Sequence, residues 1–121
     1  MSGPRLPGKK IAVLIESDFY EPEIHYYQRR FLEEGAEVHF LTRLWGQPSL
    51  TFTGHEYKEP FEADESFEEV DVKEFDAVIV PSGMVSDRLR WTDDVEKLPP
   101  ATEFLQRAFA EPSVLNLFGL P

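Results

Sequence analysis

Unbroken apolar runs are the clearest feature of the hydropathy pattern. Residues 11–15 and 76–80 contain almost no alternation of apolar and polar positions, which is typical of strands that a parallel sheet buries on both faces. Residues 37–42 and 113–118 are also rich in apolar side chains. The pattern therefore predicts four strands of one sheet.

A period of about 3.6 residues between the first two strands predicts a helix. Its apolar stripe consists of Ile24, Tyr27 and Phe31. Pro22 suits the first turn of this helix, and Ser17 or Asp18 is the expected N-cap. Gly35 is the expected end, because glycine adopts the left-handed conformation that commonly closes a helix.

A second helix is predicted at residues 99–110. Its apolar positions are Ala101, Phe104, Leu105, Ala108 and Phe109. Turn-forming residues between 46 and 59 separate short strand-like pieces such as 50–52, which predicts a small hairpin. The succession of strand, helix and strand predicts an α/β fold, with a doubly wound, mostly parallel sheet and a small β-hairpin insertion.

The domain organisation follows from the two ends of the chain. Residues 1–9 are predicted to form a flexible tail, because glycine and proline recur there. Residues 10–121 are interpreted as the amino-terminal part of one α/β domain. The strand at 113–118 would need a further helix to cover it, since a parallel strand is buried on both faces. We therefore expect the domain to be incomplete in this chain, through truncation, processing or completion by another polypeptide.

Composition argues against several classes of protein. The formal net charge is −11 and the isoelectric point is near 4.6, whereas nucleic-acid binding requires a basic surface. The chain contains no cysteine, so it has no disulfide, no thiolate metal site and no cysteine nucleophile of its own. No apolar run approaches the ~20 residues that span a bilayer, and residues 1–10 lack the apolar stretch of a secretory signal. We expect a cytoplasmic protein without nucleic-acid or membrane partners.

An acidic run occupies residues 62–71. Its spacing matches no calcium-binding loop of the EF-hand type. A solvated acidic face is the favoured interpretation, and no metal site is assigned to it.

The turn after residues 76–80 is the strongest candidate for a site. Ligands of open α/β sheets bind outside the carboxyl ends of the strands. Backbone groups of Ser82, Gly83 and Met84 are therefore candidates for a binding or oxyanion pocket. Gly83 could instead be a turn glycine, and Ser82 lacks the glycine spacing of a nucleophile elbow.

Three segments, by their order and spacing along the chain, carry a resemblance to a known family. They are Asp18-Phe-Tyr-Glu-Pro-Glu23, Phe31-Leu-Glu-Glu-Gly-Ala-Glu-Val38 and Glu74-Phe-Asp-Ala-Val-Ile-Val-Pro-Ser-Gly83. Over roughly residues 10–119 the chain resembles the ThiJ/PfpI superfamily, which includes intracellular peptidases, deglycases and glyoxalase III type enzymes. The resemblance implies a flavodoxin-like fold related to class I glutamine amidotransferases.

The resemblance also implies a catalytic carboxylate. The family's nucleophile is a cysteine that follows the strand resembled by residues 113–118, and a glutamate matched by Glu23 supports it. Phe19 and Glu21 match the family pattern around that glutamate, whereas Tyr20 replaces an acid; all three are expected to line the pocket. Glu23 would hydrogen-bond the sulfur and tune its protonation. Alternatively, Glu23 is a first-turn carboxylate that the helix dipole favours.

The family's oxyanion turn falls on Ser82 and Gly83, where Ser82 replaces a glycine. In the peptidase branch a carboxylate just beyond this turn, from a neighbouring subunit, orients a histidine, and Asp87 matches that position. Because Asp87 precedes Arg88, a surface ion pair or an interface contact is the alternative.

The resemblance implies a cysteine-dependent hydrolase or lyase that acts on a small-molecule or peptide substrate without a cofactor. This chain would supply the supporting glutamate and the oxyanion turn, and a homo-oligomer or a complementing carboxy-terminal polypeptide is the expected assembly. A non-catalytic relative, acting as a chaperone-like, ligand-binding or scaffold protein, is the main alternative. Hydration of a small substrate without thiol chemistry is a third.

Overall fold

The computed structural model describes residues 5–81, 89 and 100–118; for residues 117 and 118 it describes the backbone alone. Within these ranges the elements are strands, two helices and one short 3-10 turn. They are β1 (Lys10–Leu14), α1 (Glu21–Glu33), β2 (Glu37–Thr42), β3 (Leu50–Thr53), β4 (Pro60–Ala63), β5 (Glu65–Ser66), the 3-10 turn Val72–Glu74, β6 (Ala77–Val80), α2 (Pro100–Ala110) and β7 (Leu115–Phe118).

Five strands form one sheet in the order β5-β2-β1-β6-β7. All four pairings are parallel, so the predicted α/β architecture is confirmed. Strand β1 lies in the centre, with β2 and then β5 on one side and β6 and then β7 on the other. This is the strand order of a doubly wound, flavodoxin-like sheet, whose direction of winding reverses between its first and third main strands.

The predicted hairpin is also confirmed. Strands β3 and β4 pair antiparallel in a separate two-stranded sheet, with Leu50 opposite Ala63 and Thr53 opposite Pro60. The loop that joins them, residues 54–59, is called the hairpin loop below. Its backbone returns to the start of α1, which makes it important for the candidate site.

Helix α1 begins differently from the prediction. Its N-cap is Tyr20, and no side chain caps the helix. The expected cap at Ser17 or Asp18 is therefore wrong: Asp18 has a φ of 65°, and its backbone N–H donates to the carbonyl of Thr53 at 2.9 Å. Gly35 does follow the helix with a φ of 81°, as predicted.

The core lies on both sides of the central strands. Residues 12–15 are fully buried, because strand β1 has a neighbour on each side and apolar side chains on each face. Helix α2 buries Ala101, Phe104 and Ala108 against the sheet. Phe109 is 58% exposed, so the predicted stripe of α2 is narrower than its sequence period suggested.

The outer edge of the sheet carries an acid–base cluster. His39 on β2 lies between Glu65, whose Oε1 is 2.9 Å from Nδ1, and Glu37, whose Oε2 is 3.2 Å from Nε2. The second contact is an ion pair without hydrogen-bond geometry. Burial alone would lower the pKa of His39, but the two carboxylates outweigh it and raise that pKa above 6.5.

The acidic run 62–71 is divided between several elements. Asp71 caps the 3-10 turn, because its side chain accepts the N–H of Lys73 at 3.0 Å while Glu74 accepts the N–H of Asp71. Within the described residues, no group of three or more His, Asp or Glu side chains is arranged to hold a metal ion. No helix in the same ranges is long and apolar enough to cross a membrane.

Candidate functional site

The topological switch of the sheet lies between β1 and β6. Val13 pairs with Ile79, so Ile15 and Pro81 lie next to each other at the carboxyl ends of the two strands. Both residues are fully buried. Crevices at such switch points are the usual ligand sites of open α/β sheets. The structure therefore brings the end of β1, from which the chain continues to α1, next to Pro81 at the end of β6.

Glu23 lies on the first turn of α1 and is half-buried. Its Oε2 accepts a hydrogen bond from the Tyr27 hydroxyl at 2.7 Å, since residues four apart lie on the same face of a helix. Burial of the Tyr27 phenol, together with the hydrogen bond to Glu23 and its negative charge, raises the pKa of Tyr27 well above its usual value of 10.0. Tyr27 therefore stays a neutral hydrogen-bond donor to this carboxylate.

Glu21 is fully buried two positions before Glu23. Its Oε1 accepts the N–H of Glu56 at 3.0 Å, and its Oε2 accepts the N–H groups of Tyr57 at 2.8 Å and Glu59 at 3.3 Å. Burial of the carboxyl group would raise its pKa, but backbone hydrogen bonds outweigh that effect and lower the pKa from 4.5 to about 2. The buried side chain is thus an ionised carboxylate solvated by backbone dipoles.

Gly54 makes this burial possible. A Cβ atom at this position would overlap Cγ, Cδ and Oε2 of Glu21. The backbone of the hairpin loop passes directly over the carboxyl group, and only glycine leaves the space for it. Gly54 also closes the loop, because its N–H donates to the carbonyl of Glu59 at 2.8 Å.

The two aromatic candidates differ in exposure. Phe19 is 2% exposed, and its ring packs edge-on against Phe61 of β4 at 5.9 Å between centroids. Tyr20 is 47% exposed at the N-cap of α1. Of the two side chains, Tyr20 is therefore the one that is accessible to a ligand at the switch point.

The remaining predicted site residues are Ser82, Gly83, Met84 and Asp87, and they lie outside the described residues. Pro81 ends the described part of this segment and is fully buried. The oxyanion role of residues 82–84 and the orienting role of Asp87 stay predictions.

One carboxylate at the switch point was missed in the sequence interpretation. Glu16 follows β1 directly and is half-buried, and its Oε1 accepts the N–H of Ser17 at 2.8 Å. A polar residue that ends an unbroken apolar strand is the signal that could have identified it, because such a side chain emerges at the carboxyl edge of the sheet.

Two grooves in the described part of the chain lie away from this site. A groove of about 610 Å³ on α1 is lined by Pro22, His25, Tyr26, Gln28, Arg29 and Leu32. A cleft of about 590 Å³ follows β2 near Trp45. Neither is lined by Glu21 or Glu23, so the assignment of the site depends on topology and on the carboxylates.

Comparisons with known proteins identify the family of this chain. The sequence model of the DJ-1/PfpI family matches residues 9–109. The chain is 32% identical over 103 residues to "Deglycase PfpI" of Pyrococcus furiosus, a match that covers 84% of this chain and 55% of the relative. It is 35% identical over 83 residues to "Protein/nucleic acid deglycase 2" of Escherichia coli, covering 69% of this chain and 46% of the relative.

A solved structure is similar over nearly the whole chain. It is a two-domain protein of Anabaena variabilis with a DJ-1/ThiJ/PfpI-like and a ferritin-like domain; the TM-score is 0.73 at 27% identity, covering 93% of this chain and 29% of that one. The chain spans about half the length of the curated relatives that it matches. The resemblance found in the sequence is confirmed: the chain belongs to the DJ-1/PfpI family.

Proposed function

We propose that this chain forms part of a cysteine-dependent hydrolase or lyase site of the deglycase class, in which Glu23 supports the nucleophile. The observation that carries the proposal is the position of Glu23. It lies on the first turn of the helix that follows β1, beside the switch point between β1 and β6, and its carboxylate is half-buried and held by Tyr27 at 2.7 Å. Two relatives with deglycase names support the same class.

The chemistry would begin with attack of a cysteine thiolate on a carbonyl carbon of the substrate. A carbon–sulfur bond forms while the carbonyl electron pair moves to oxygen, and backbone N–H groups of Gly83 and Met84 would stabilise that oxyanion. Glu23, hydrogen-bonded to the sulfur, would set the fraction of thiolate. Collapse of the oxyanion would then break the bond to the leaving group, which departs with a proton, and water would hydrolyse the thioester that remains on the cysteine. Neither a metal nor a cofactor is needed for these steps.

The nucleophile must come from residues other than these 121, because the chain contains no cysteine. We propose that further sequence of the same gene product, or a complementing polypeptide, supplies it near the carboxyl end of β7. A small-molecule or peptide substrate and a homo-oligomeric assembly, with Asp87 contributing across subunits, belong to the same proposal.

The test uses the assembled protein and a glycated model peptide. Glu23→Ala is expected to lower kcat/KM by at least ~100-fold, which is typical for loss of a group that manages a proton in the reaction. Glu33→Ala is the matched control, since Glu33 lies on the same helix and its side chain is exposed and paired with Arg30 at 3.2 Å. Equal activity of the two variants would reject the role of Glu23, and activity that survives alkylation of every cysteine would reject the thiol mechanism in favour of non-thiol chemistry. A wild-type protein without activity would favour the non-catalytic alternative.

A further inference from the structure

The hairpin loop is built around an anion that the chain itself supplies. Three backbone N–H groups, from Glu56, Tyr57 and Glu59, converge on the carboxylate of Glu21. Converging N–H groups of this kind form concave nests that bind anions. Lys58, within the nest, has a φ of 56°, a left-handed conformation that bends the loop so that N–H groups on either side of it reach the same oxygen.

The first turn of α1 depends on this contact. The helix has no side-chain N-cap, so its start lacks the usual local restraint. Instead, the hairpin holds the preceding segment through two backbone bonds, from Asp18 N–H to Thr53 at 2.9 Å and from His55 N–H to Phe19 at 2.9 Å. The Glu21 carboxylate adds three bonds to partners that are 35 to 38 residues away in sequence.

Helical geometry links Glu21 to Glu23. Two positions on an α-helix differ by about 200° around its axis, so the two side chains flank the apolar stripe of Ile24 and Tyr27 on opposite sides. Both belong to the first turn, whose start has no side-chain N-cap, so unwinding of this turn after Glu21 leaves the nest would also take Glu23 away from the Tyr27 hydroxyl. The hairpin loop on one flank of α1 thereby controls a carboxylate on the other flank.

We propose that Glu21 is a positioning residue: by filling the nest in the hairpin loop, its carboxylate fixes the first turn of α1 and with it the orientation of Glu23. The docking of the loop is independent of any activity. Only the consequence for catalysis rests on the function proposed above for Glu23.

The experiment empties the nest and refills it. Glu21→Ala removes the carboxylate, and sodium formate is added as a free carboxylate of similar shape, with sodium chloride at equal ionic strength as the control. The first readout is trypsin cleavage after Lys58, followed by mass spectrometry; Lys58 is exposed at the tip of the loop. The second readout is the titration of the Tyr27 hydroxyl, followed by NMR of ring-labelled tyrosine and assigned with Tyr27→Phe.

In Glu21→Ala we expect cleavage after Lys58 to accelerate at least tenfold, and the pKa of Tyr27 to fall towards its usual value as Glu23 leaves its hydroxyl. Formate should restore both readouts, and chloride should restore neither. Glu33→Ala, which removes an exposed carboxylate from the same helix, should change neither. If Glu21→Ala does not fold, Glu21→Gln is used with the same two readouts but without formate, because its amide group stays in the nest, retains one acceptor oxygen and places N–H donors against the backbone N–H groups.

Two results would overturn the proposal. Unchanged cleavage after Lys58, or cleavage that formate does not slow, would show that the nest does not hold the loop. A released loop with an unchanged Tyr27 titration would break the link to Glu23. Since neither readout measures activity, a positive result combined with full activity of Glu23→Ala would keep the positioning role and reject the proposed function.

Discussion

Gly54→Ala is the sharpest perturbation that the structure offers, because it adds one methyl group at the closest approach between the hairpin loop and α1. The new Cβ would overlap three atoms of the Glu21 side chain. That side chain cannot simply swing aside, since three backbone N–H groups hold its carboxylate. Either the loop or the carboxylate must move.

The magnitude follows from two opposing effects. Gly54 is not in the left-handed region, so alanine fits its backbone conformation and should gain ~0.4–1 kcal/mol by restricting the unfolded chain. Overpacking a filled site costs about 1–3 kcal/mol. We expect a net loss of about 1–2 kcal/mol in the free energy of unfolding, which lowers the ratio of folded to unfolded protein by roughly 5- to 30-fold.

The assay is urea unfolding, followed by far-ultraviolet circular dichroism, in a double-mutant cycle with Glu21→Ala. In that background the added methyl group meets vacated space, so most of the Gly54→Ala loss should disappear. Gly46→Ala is the control: it is strained by a φ of 80° but meets no atom within 4 Å, and its loss should be the same with or without Glu21. A neutral Gly54→Ala, or a loss that persists unchanged in the Glu21→Ala background, would refute the reasoning.

Three further predictions concern pH and packing. Folding lowers the pKa of Glu21 to about 2, so its contribution to stability is present above pH 4.5 and is lost as pH falls towards 2. In Glu21→Gln the free energy of unfolding should therefore fall less steeply with decreasing pH over this range. An identical slope in wild type and variant would contradict the prediction. Folding raises the pKa of His39, so its contribution to stability is present below pH 6.5 and is lost as pH rises through the raised value. Urea unfolding between pH 5.5 and 9 should show that the difference in free energy of unfolding between wild type and His39→Gln becomes smaller with rising pH; a difference that grows would contradict the prediction. Phe104→Ala should cost about 3–5 kcal/mol, because the side chain is fully buried and leaves a cavity, whereas the half-exposed Phe109→Ala should cost clearly less in the same unfolding assay.

The sheet was predictable because burial on both faces leaves a direct mark on the sequence. Residues 11–15, 37–42 and 76–80 were predicted as strands from local apolar content, and each pairs in the parallel sheet with bounds shifted by no more than one residue. The hairpin was predictable for a similar reason, since turn-forming residues bracket β3. Each of these elements can be predicted from its own segment of sequence, without knowing which strand it pairs with.

The start of α1 was not predictable, because tertiary contacts decide it. Asp18 is a good capping residue by type, yet its backbone joins the hairpin and its φ is positive. The partners of Glu21 lie 35 to 38 residues away, and no periodicity reports such a contact. Glu23 was found through the order and spacing of family segments, while its bond to Tyr27 follows from a spacing of four along the helix.

The central claim is that Glu23 faces a nucleophilic cysteine at the switch point between β1 and β6. The most direct test is the pH dependence of iodoacetamide alkylation of that cysteine in the assembled protein, for wild type, Glu23→Gln and the control Glu33→Gln. We expect the apparent pKa of the thiol to shift in Glu23→Gln and not in Glu33→Gln, because Glu23 is the one of the two that would hydrogen-bond the sulfur. Three superimposable profiles, or an assembled protein that contains no cysteine at this edge of the sheet, would contradict it.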